Sequence, residues 1–372
     1  MTRKKIRIDQ IEIYESKTRL KEPFIISLGA HEYAENIFVI VRVSDGSVGF
    51  GECCPDLTIN GENIDTCRVV GTLLARHLIG RDPLDIEPCI RSMDAIIFGH
   101  SSIKSAFDMA LYDIAARNME MPLYRFMGGV NNKKLRTDYT VSLGSPEKMA
   151  EDAKKIVDEG FQIIKIKLGE NRRSDLERMA AIRRVIDESI PLRIDANQGW
   201  DVQTAIEILN DLHDAPIEFC EEPIPRWAFM ELQHVRKASP IKIMADETCF
   251  DHHDAKRLIQ LHACDYFNLK LGKSGLFKAL KIIGLAETAG IKMQVGGFIE
   301  TRLCFTASAH LSLCSDLIEY TDFDTPLMLE QDPISGGIGY QKGGLISIPD
   351  EPGLGAIVNP DYLKTLQRVV VK

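Results

Sequence analysis

Gln162-Ile163-Ile164-Lys165-Ile166-Lys167-Leu168 is a short apolar run that carries two lysines and then stops. Runs of the same kind recur about every 25 residues, at 137–142, 162–168, 192–196, 217–220, 241–245, 266–270, 292–295 and 317–320. Amphipathic stretches such as 146–159 and 258–262 separate them, which is the spacing of βα units. Eight strands in about 200 residues, with no repeat after the last, predict an α/β fold with a closed parallel (β/α)7β barrel rather than an open doubly wound sheet. Neither Gly-x-Gly-x-x-Gly nor Gly-x-x-x-x-Gly-Lys occurs, so no dinucleotide or phosphate loop competes with that reading.

Upstream of these repeats, apolar and polar positions alternate at 6–14 and 37–43, and Asp45-Gly46 separates the second run from 48–51. This predicts a small antiparallel sheet with a hairpin turn. From about 63 to 127 the spacing turns helical, with Pro83, Pro88 and Pro122 at boundaries and Ile103, Ala106, Phe107, Ala110 and Leu111 on one stripe. Strands followed by helices make an α+β unit. The expected organisation is an α+β capping domain over 1–130, a TIM-type barrel over 131–331, and a tail over 332–372 that returns to the capping domain.

Composition narrows the function class. With 45% hydrophobic and 27% charged residues in 372, the chain has ample material for a packed core. A net charge of -9 argues against nucleic acid, which needs a basic face. The N-terminal Met1-Thr2-Arg3-Lys4-Lys5-Ile6-Arg7 has no apolar run behind its basic residues, so no signal peptide is expected, and no apolar run is long enough to span a membrane. Nine cysteines with no Cys-x-x-Cys spacing suit neither a disulfide framework nor a zinc site, and point to a reducing cytoplasm. The vicinal Cys53-Cys54 reads as idle, buried thiols.

In a parallel barrel, functional side chains collect at the carboxyl ends of the strands. Here those ends read Ile164-Lys165-Ile166-Lys167, Ile194-Asp195-Ala196-Asn197, Cys220-Glu221-Glu222-Pro223, Ala245-Asp246-Glu247, Asn268-Leu269-Lys270 and Asp322-Phe323-Asp324. Asp195, Glu221 and Asp246 lie 26 and 25 residues apart, one per consecutive strand, so the barrel brings them to one rim. A single acid at such a place is usually a helix cap. Three close carboxylates repel one another, and a hard cation such as Mg2+ resolves the repulsion with oxygen ligands. Lys165 and Lys167 are two apart and share one face of their strand, while Lys270 arrives from the far side of the ring. Lysine is rarely buried without a purpose. Bases on opposite sides of a metal-held substrate suit removal and return of a proton next to a carboxylate, with neighbouring positive charge lowering the lysines toward neutrality.

These residues resemble the enolase superfamily, and within it the muconate-lactonizing group. The resemblance covers almost the whole chain: the capping domain, Phe126-Met127-Gly128-Gly129, Lys165-Ile166-Lys167, Asp195-Ala196-Asn197, Glu221-Glu222-Pro223, Asp246-Glu247 and Lys270. It implies that Asp195, Glu221 and Asp246 bind Mg2+, that Lys167 and Lys270 are the acid/base pair, and that Lys165 assists beside the enolate. Within the group, Asp322-Phe323-Asp324 is similar to the Asp-x-Asp with which dipeptide epimerases hold the substrate's ammonium group. The resemblance further implies a polar shell of Asn197, Glu247 and Glu300, a seventh-strand loop of Gly296-Gly297 with Gly296 against the substrate, and a small-molecule dipeptide as partner, in a type of barrel enzyme that is often a homo-oligomer.

The implied reaction is epimerisation at the α-carbon of a dipeptide's C-terminal residue. Specificity is expected from loops at about 18–30 and 53–63, with Ile25 against the substrate. Ile25-Ile26-Ser27-Leu28-Gly29 is mostly apolar, which favours small or apolar dipeptides such as Ala-Ala, although Arg19 and Lys21 keep Ala-Glu close behind. N-acylamino acid racemase, o-succinylbenzoate synthase and muconate cycloisomerase run on the same lysines, but their substrates carry no ammonium for Asp322 and Asp324. A barrel that only binds ligand would have to keep the whole set without chemistry.

Overall fold

The eight expected strands form a single parallel sheet in sequence order: Tyr139–Val141, Ile164–Lys167, Leu192–Asp195, Ile217–Glu221, Ile243–Ala245, Tyr266–Lys270, Lys292–Gly296 and Ile318–Thr321. The structure is a computed structural model that describes residues 5–372, so residues 1–4 of the N-terminal stretch read above lie outside it. The ring closes where Thr137 pairs in parallel with Thr321 and the Phe323 amide donates to Thr137 Oγ1 at 2.7 Å. Seven helices, Pro146–Asp158, Arg172–Arg183, Val202–Asp211, Phe229–Ala238, His252–Leu261, Leu271–Ala289 and Arg302–Ser312, run outside the barrel between the strands. Several starts carry side-chain caps, with Ser145, Asn171, Asp201, Asp251 and Thr301 accepting from the first-turn amides and Pro146 opening its helix. The eighth strand is followed by the single turn Thr325–Met328 in place of an eighth barrel helix, which makes the barrel (β/α)7β.

The capping unit is built on the strands Ile8–Ile26, Gly29–Val43 and Val48–Cys53 and the helices Ile64–Leu78, Ile86–Ile96 and Ser101–Asn118. Ser102 to Ala116 are all buried in the last of these, the expected stripe among them. That helix lies on the barrel helix Leu271–Ala289 at a close approach. Gly275 there has φ 64, a Cβ on it would collide with the Asp108 carboxylate, and Asp108 Oδ2 accepts the Phe277 amide at 3.0 Å.

One expectation needs correction: residues 18–30 are not a loop. Ile8–Ile26 and Gly29–Val43 pair as far as Ile26 opposite Gly29, and the register jumps between Arg19–Tyr33 and Phe24–His31. That bulge bends the ribbon over the barrel mouth, so a hairpin replaces the loop. Residues 54–63 do form a turn-rich loop, pinned by Asp56, whose Oδ1 accepts the amides of Thr58 and Ile59 at 2.7 and 3.0 Å. Leu20, Ala34, Cys54, Ile59, Phe298, Ile299 and Leu329 form a small separate core that holds the hairpin and loop against the mouth.

The tail pairs in both directions. Gln367–Val371 joins the capping sheet antiparallel to Ile8–Ile26, with Val371 opposite Ile11, while Leu345–Ser347 pairs with Leu135–Arg136 beside the barrel. All nine cysteines are free. Among the described residues no helix is long and apolar enough to cross a membrane.

Candidate active site

Parallel register sets the site. Lys167, Asp195 and Glu221 are direct partners on adjacent strands, so their side chains stand side by side at the carboxyl rim. Lys165 lies one layer below Lys167 on the same face. The chain then turns sharply: Asn197, Gln198 and Glu222 have φ of 40, 69 and 36, a left-handed backbone that side chains other than glycine seldom adopt. Strain concentrated just beyond Asp195 and Glu221 marks a site held for function.

The carboxylates and lysines interlock. Lys165 Nζ lies 3.0 Å from Asp195 Oδ2, 2.9 Å from Glu221 Oε2 and 2.8 Å from Asp322 Oδ2. Lys167 Nζ reaches Asp195 Oδ2 at 2.7 Å and Asn197 Oδ1 at 3.0 Å. On the opposite side, Lys270 Nζ is 2.5 Å from Asp246 Oδ2. Asn268 Nδ2 donates to Glu221 Oε1 at 2.7 Å, and Asn197 Nδ2 to Glu247 Oε1 at 3.1 Å. All of these groups are buried.

Electrostatics follow from burial and these contacts. Burial works to raise Asp246, but Lys270 and Lys273 outweigh it and hold the carboxyl well below the usual range. Burial also works to lower Lys165, and Asp195, Asp322 and Glu221 push it well above its ordinary value instead. Lys270 is likewise pushed up by Asp246 and Glu221 against burial. The charges nearest Lys165 and Lys270 are thus carboxylates, and they prevail over burial.

Asp195, Glu221 and Asp246 fit a hard divalent cation. They are wholly buried oxygen donors on consecutive strands, and their oxygens already gather cationic groups, with Lys165 and Lys167 on Asp195, Lys165 on Glu221, and Lys270 and Lys273 on Asp246. A second acidic set lies across the mouth. Among the described residues, Asp138, Asp322 and Asp324 are the one group of three acids whose oxygens all come within 4.8 Å of one another. Lys165 holds Asp322 at about 2 against the effect of burial, whereas burial and the Asp322 charge push Asp324 up to about 7. Asp324 Oδ2 accepts the Thr140 amide at 2.6 Å and its Oδ1 has no partner.

Sequence reading missed Asp138, which precedes the first strand and carries no motif. It is wholly buried, its Oδ2 takes Arg193 Nη1 at 2.8 Å, and its Oδ1 is also unpartnered. Lys273 was missed as well, although it stands one helical turn beyond Lys270. Its Nζ lies 2.7 Å from Asp246 Oδ1 and 2.9 Å from the Asn268 carbonyl, which fixes that carboxylate from behind.

A cavity of about 90 Å3 opens over the lysines, walled by Phe24, Ile26, Ile59, Phe298 and Ile299, with Asp322, Asp324 and Thr140 at one end. Two expected substrate contacts are corrected. Ile25 lines a separate cavity behind the hairpin, because alternate residues of a strand face opposite sides and Phe24 and Ile26 take the inner one. Gly296 ends the seventh strand against the Asn268 side chain, and Gly297 is the residue that reaches the cavity wall. Glu300 is buried beside Glu52 and pushed up to about 8 by burial and that neighbour, and its Oε2 accepts the Phe298 amide.

Fold and site together define an α/β-barrel enzyme whose reactive groups are lysines and carboxylates at the strand ends. Residues 148–362 match the enolase C-terminal domain-like family model, and residues 8–128 match the N-terminal domain of mandelate racemase and muconate lactonizing enzyme. The chain belongs to this mandelate racemase and muconate lactonizing enzyme family of the enolase superfamily. The D-Ala-D/L-Ala epimerase of Cytophaga hutchinsonii is 52% identical over 98% of this chain and 99% of its own. The crystal structure of a dipeptide epimerase from that organism, complexed with Mg and D-Ala-L-Val, superposes with a TM-score of 0.98 over 98% of this chain and 100% of that one, at 52% identity. The L-Ala-D/L-Glu epimerase of Bacillus subtilis is 38% identical over 95% of this chain and 97% of its own.

Proposed function

We propose that the chain is a magnesium-dependent dipeptide epimerase that inverts the α-carbon of the C-terminal residue in small dipeptides of the Ala-Ala kind. One observation carries the reading: a single cavity holds lysines from the second and sixth strands on opposite sides, and at one end Asp324, whose buried Oδ1 lacks a partner. An ammonium group satisfies that oxygen, and a carbon held between two lysines can lose a proton to one and regain it from the other.

Asp195, Glu221 and Asp246 would hold the ion. Bound there, magnesium would supply positive charge opposite the substrate's carboxylate and, as a neighbouring cation, would favour the neutral form of the lysines. Lys167 and Lys270 move the proton at the α-carbon, Lys165 faces the negative charge that develops on the carboxylate, and Phe24 and Phe298 keep water from the reacting centre. Their rings lie 5.7 and 5.3 Å from the Lys167 and Lys270 nitrogens.

The wall also bears on the substrate. Arg19 and Lys21 turn away from the cavity, to Glu330 at 3.8 Å and to the Leu327 carbonyl at 2.7 Å, so neither meets a glutamate side chain. Glu35, paired with Lys17 at 2.7 Å, and Asp56, beside His31 at 3.4 Å, line the rim, and among the described residues no arginine does. Chiral assays of Ala-Ala, Ala-Glu and N-succinyl-alanine should rank kcat/KM for Ala-Ala about 10-fold or more above Ala-Glu, with N-succinyl-alanine not turned over. Preference for the N-succinyl substrate would remove the ammonium from the reading.

Asp324→Asn is expected to raise KM for Ala-Ala about 10- to 100-fold, the worth of a charged hydrogen bond, with a smaller effect on kcat. Affinity should depend on pH in a defined direction. In the free protein Asp324 holds its proton up to about 7, and ammonium favours the ionised form, so KM falls as pH rises through 7. It rises again once the substrate's own amine deprotonates near about 8. Asp324→Asn removes the lower limb of that profile, which steady-state kinetics between pH 6 and 9 would show.

A further inference from the structure

Behind the hairpin lies a second cavity, of about 290 Å3, between the ribbon, the first barrel strand and the helix Pro146–Asp158. Ile25, Tyr139, Val141, Leu143, Ile156 and Met328 give it an apolar lining. Its outer edge carries the ion pairs of Lys148 with Glu22 at 3.1 Å and with Asp152 at 2.6 Å. Phe24 and Thr140 are the two residues that line both this cavity and the active cavity. They are therefore the partition between the two spaces, and the Thr140 backbone is fixed by its amide bond to Asp324. The Phe24 ring is the removable part of the wall.

The partition stands at the Asp324 end of the active cavity, where the substrate's ammonium belongs in the reading above, on which this inference rests. The residue that bears the ammonium is the dipeptide's N-terminal residue, so its side chain lies next to Thr140 and Phe24. We infer that Phe24 is the specificity-determining residue for the N-terminal position: its ring limits that residue to a small side chain by walling off the apolar cavity behind it. The C-terminal residue sits between the lysines, where the Phe24 ring also covers Lys167 at 5.7 Å, but the rear cavity adjoins Thr140 and so adds room on the N-terminal side. A bulky apolar N-terminal side chain, such as leucine or phenylalanine, is the class of group the rear cavity would take once the ring is gone.

The experiment compares wild type with Phe24→Ala on Ala-Ala, Leu-Ala and Phe-Ala, in both N-terminal configurations, and on Ala-Leu. Wild type should favour N-terminal alanine. Phe24→Ala should raise kcat/KM for Leu-Ala or Phe-Ala relative to Ala-Ala by about 10-fold or more, with the Ala-Leu to Ala-Ala ratio unchanged. Adding Met328→Trp, which fills the rear cavity from its lining, should cancel that gain. If Phe24→Ala is inactive because Lys167 has lost its cover, the ratio of Leu-Ala to Ala-Ala dissociation constants, read by calorimetry with magnesium present, carries the same expectation. An unchanged ratio, a gain at the C-terminal position instead, or a gain that Met328→Trp leaves intact would overturn the inference. Wild type that acts on no dipeptide at all would instead overturn the functional reading, and so the two failures are distinct.

Discussion

Lys270→Ala lowers the epimerisation rate by about a thousandfold, within the range expected for removal of a general acid or base, yet leaves one epimer exchanging its α-proton with solvent. Lys167 and Lys270 come from strands on opposite sides of the ring, so each addresses one face of the α-carbon. Without Lys270, Lys167 still removes the proton from the epimer that presents it and returns one from solvent to the same face. Lys167→Ala gives the mirror result with the other epimer. Asp246 keeps Lys273 at 2.7 Å in the first variant, and Asp195 keeps Lys165 at 3.0 Å in the second, so neither leaves a buried carboxylate without a cation. Exchange of both epimers in either variant would mean that one lysine serves both faces.

Glu221→Gln has an effect of similar size through a different cause. Glu221 sits between Lys165 at 2.9 Å and Asn268 Nδ2 at 2.7 Å, and is pushed upward by burial and by the Asp195 charge. The amide keeps the shape and removes one of three anionic donors, so magnesium affinity should fall at least about 100-fold. Thermal unfolding separates this from a folding defect. Magnesium at 100 times its Kd adds about 2.7 kcal/mol to wild type and should add almost nothing to the variant at the same concentration. Chelation of the metal should abolish wild-type activity reversibly and leave the circular dichroism spectrum unchanged, since Lys165, Lys167 and Lys270 already balance the carboxylates.

The barrel was legible because the strands are short apolar runs, six of the eight with a charged residue at or just beyond the end, and period-two alternation then fixes which side chains face inward. Lys165, Asp195, Glu221 and Asp322 meet in the structure for that reason. What failed was the reading of the mouth. Thr18 to Ala30 reads as a loop because the bulge between Arg19 and Phe24 breaks the alternation that would mark it as a strand. The misplaced Ile25 follows from that error, since a loop gives no rule for inside and outside whereas a strand assigns Phe24 and Ile26 to the cavity. Asp138 and Lys273 belong to no motif. Their partners, Arg193 and Asp246, are 55 and 27 residues away in sequence, and only the closed barrel brings them together.

Proton NMR of Ala-Ala in deuterium oxide, with the purified protein and magnesium, tests two-lysine proton transfer most directly. The C-terminal α-proton signal should disappear as the other epimer grows in carrying deuterium, while the N-terminal α-proton keeps its full intensity. Intact C-terminal signals throughout, or loss at the N-terminal residue instead, would contradict it.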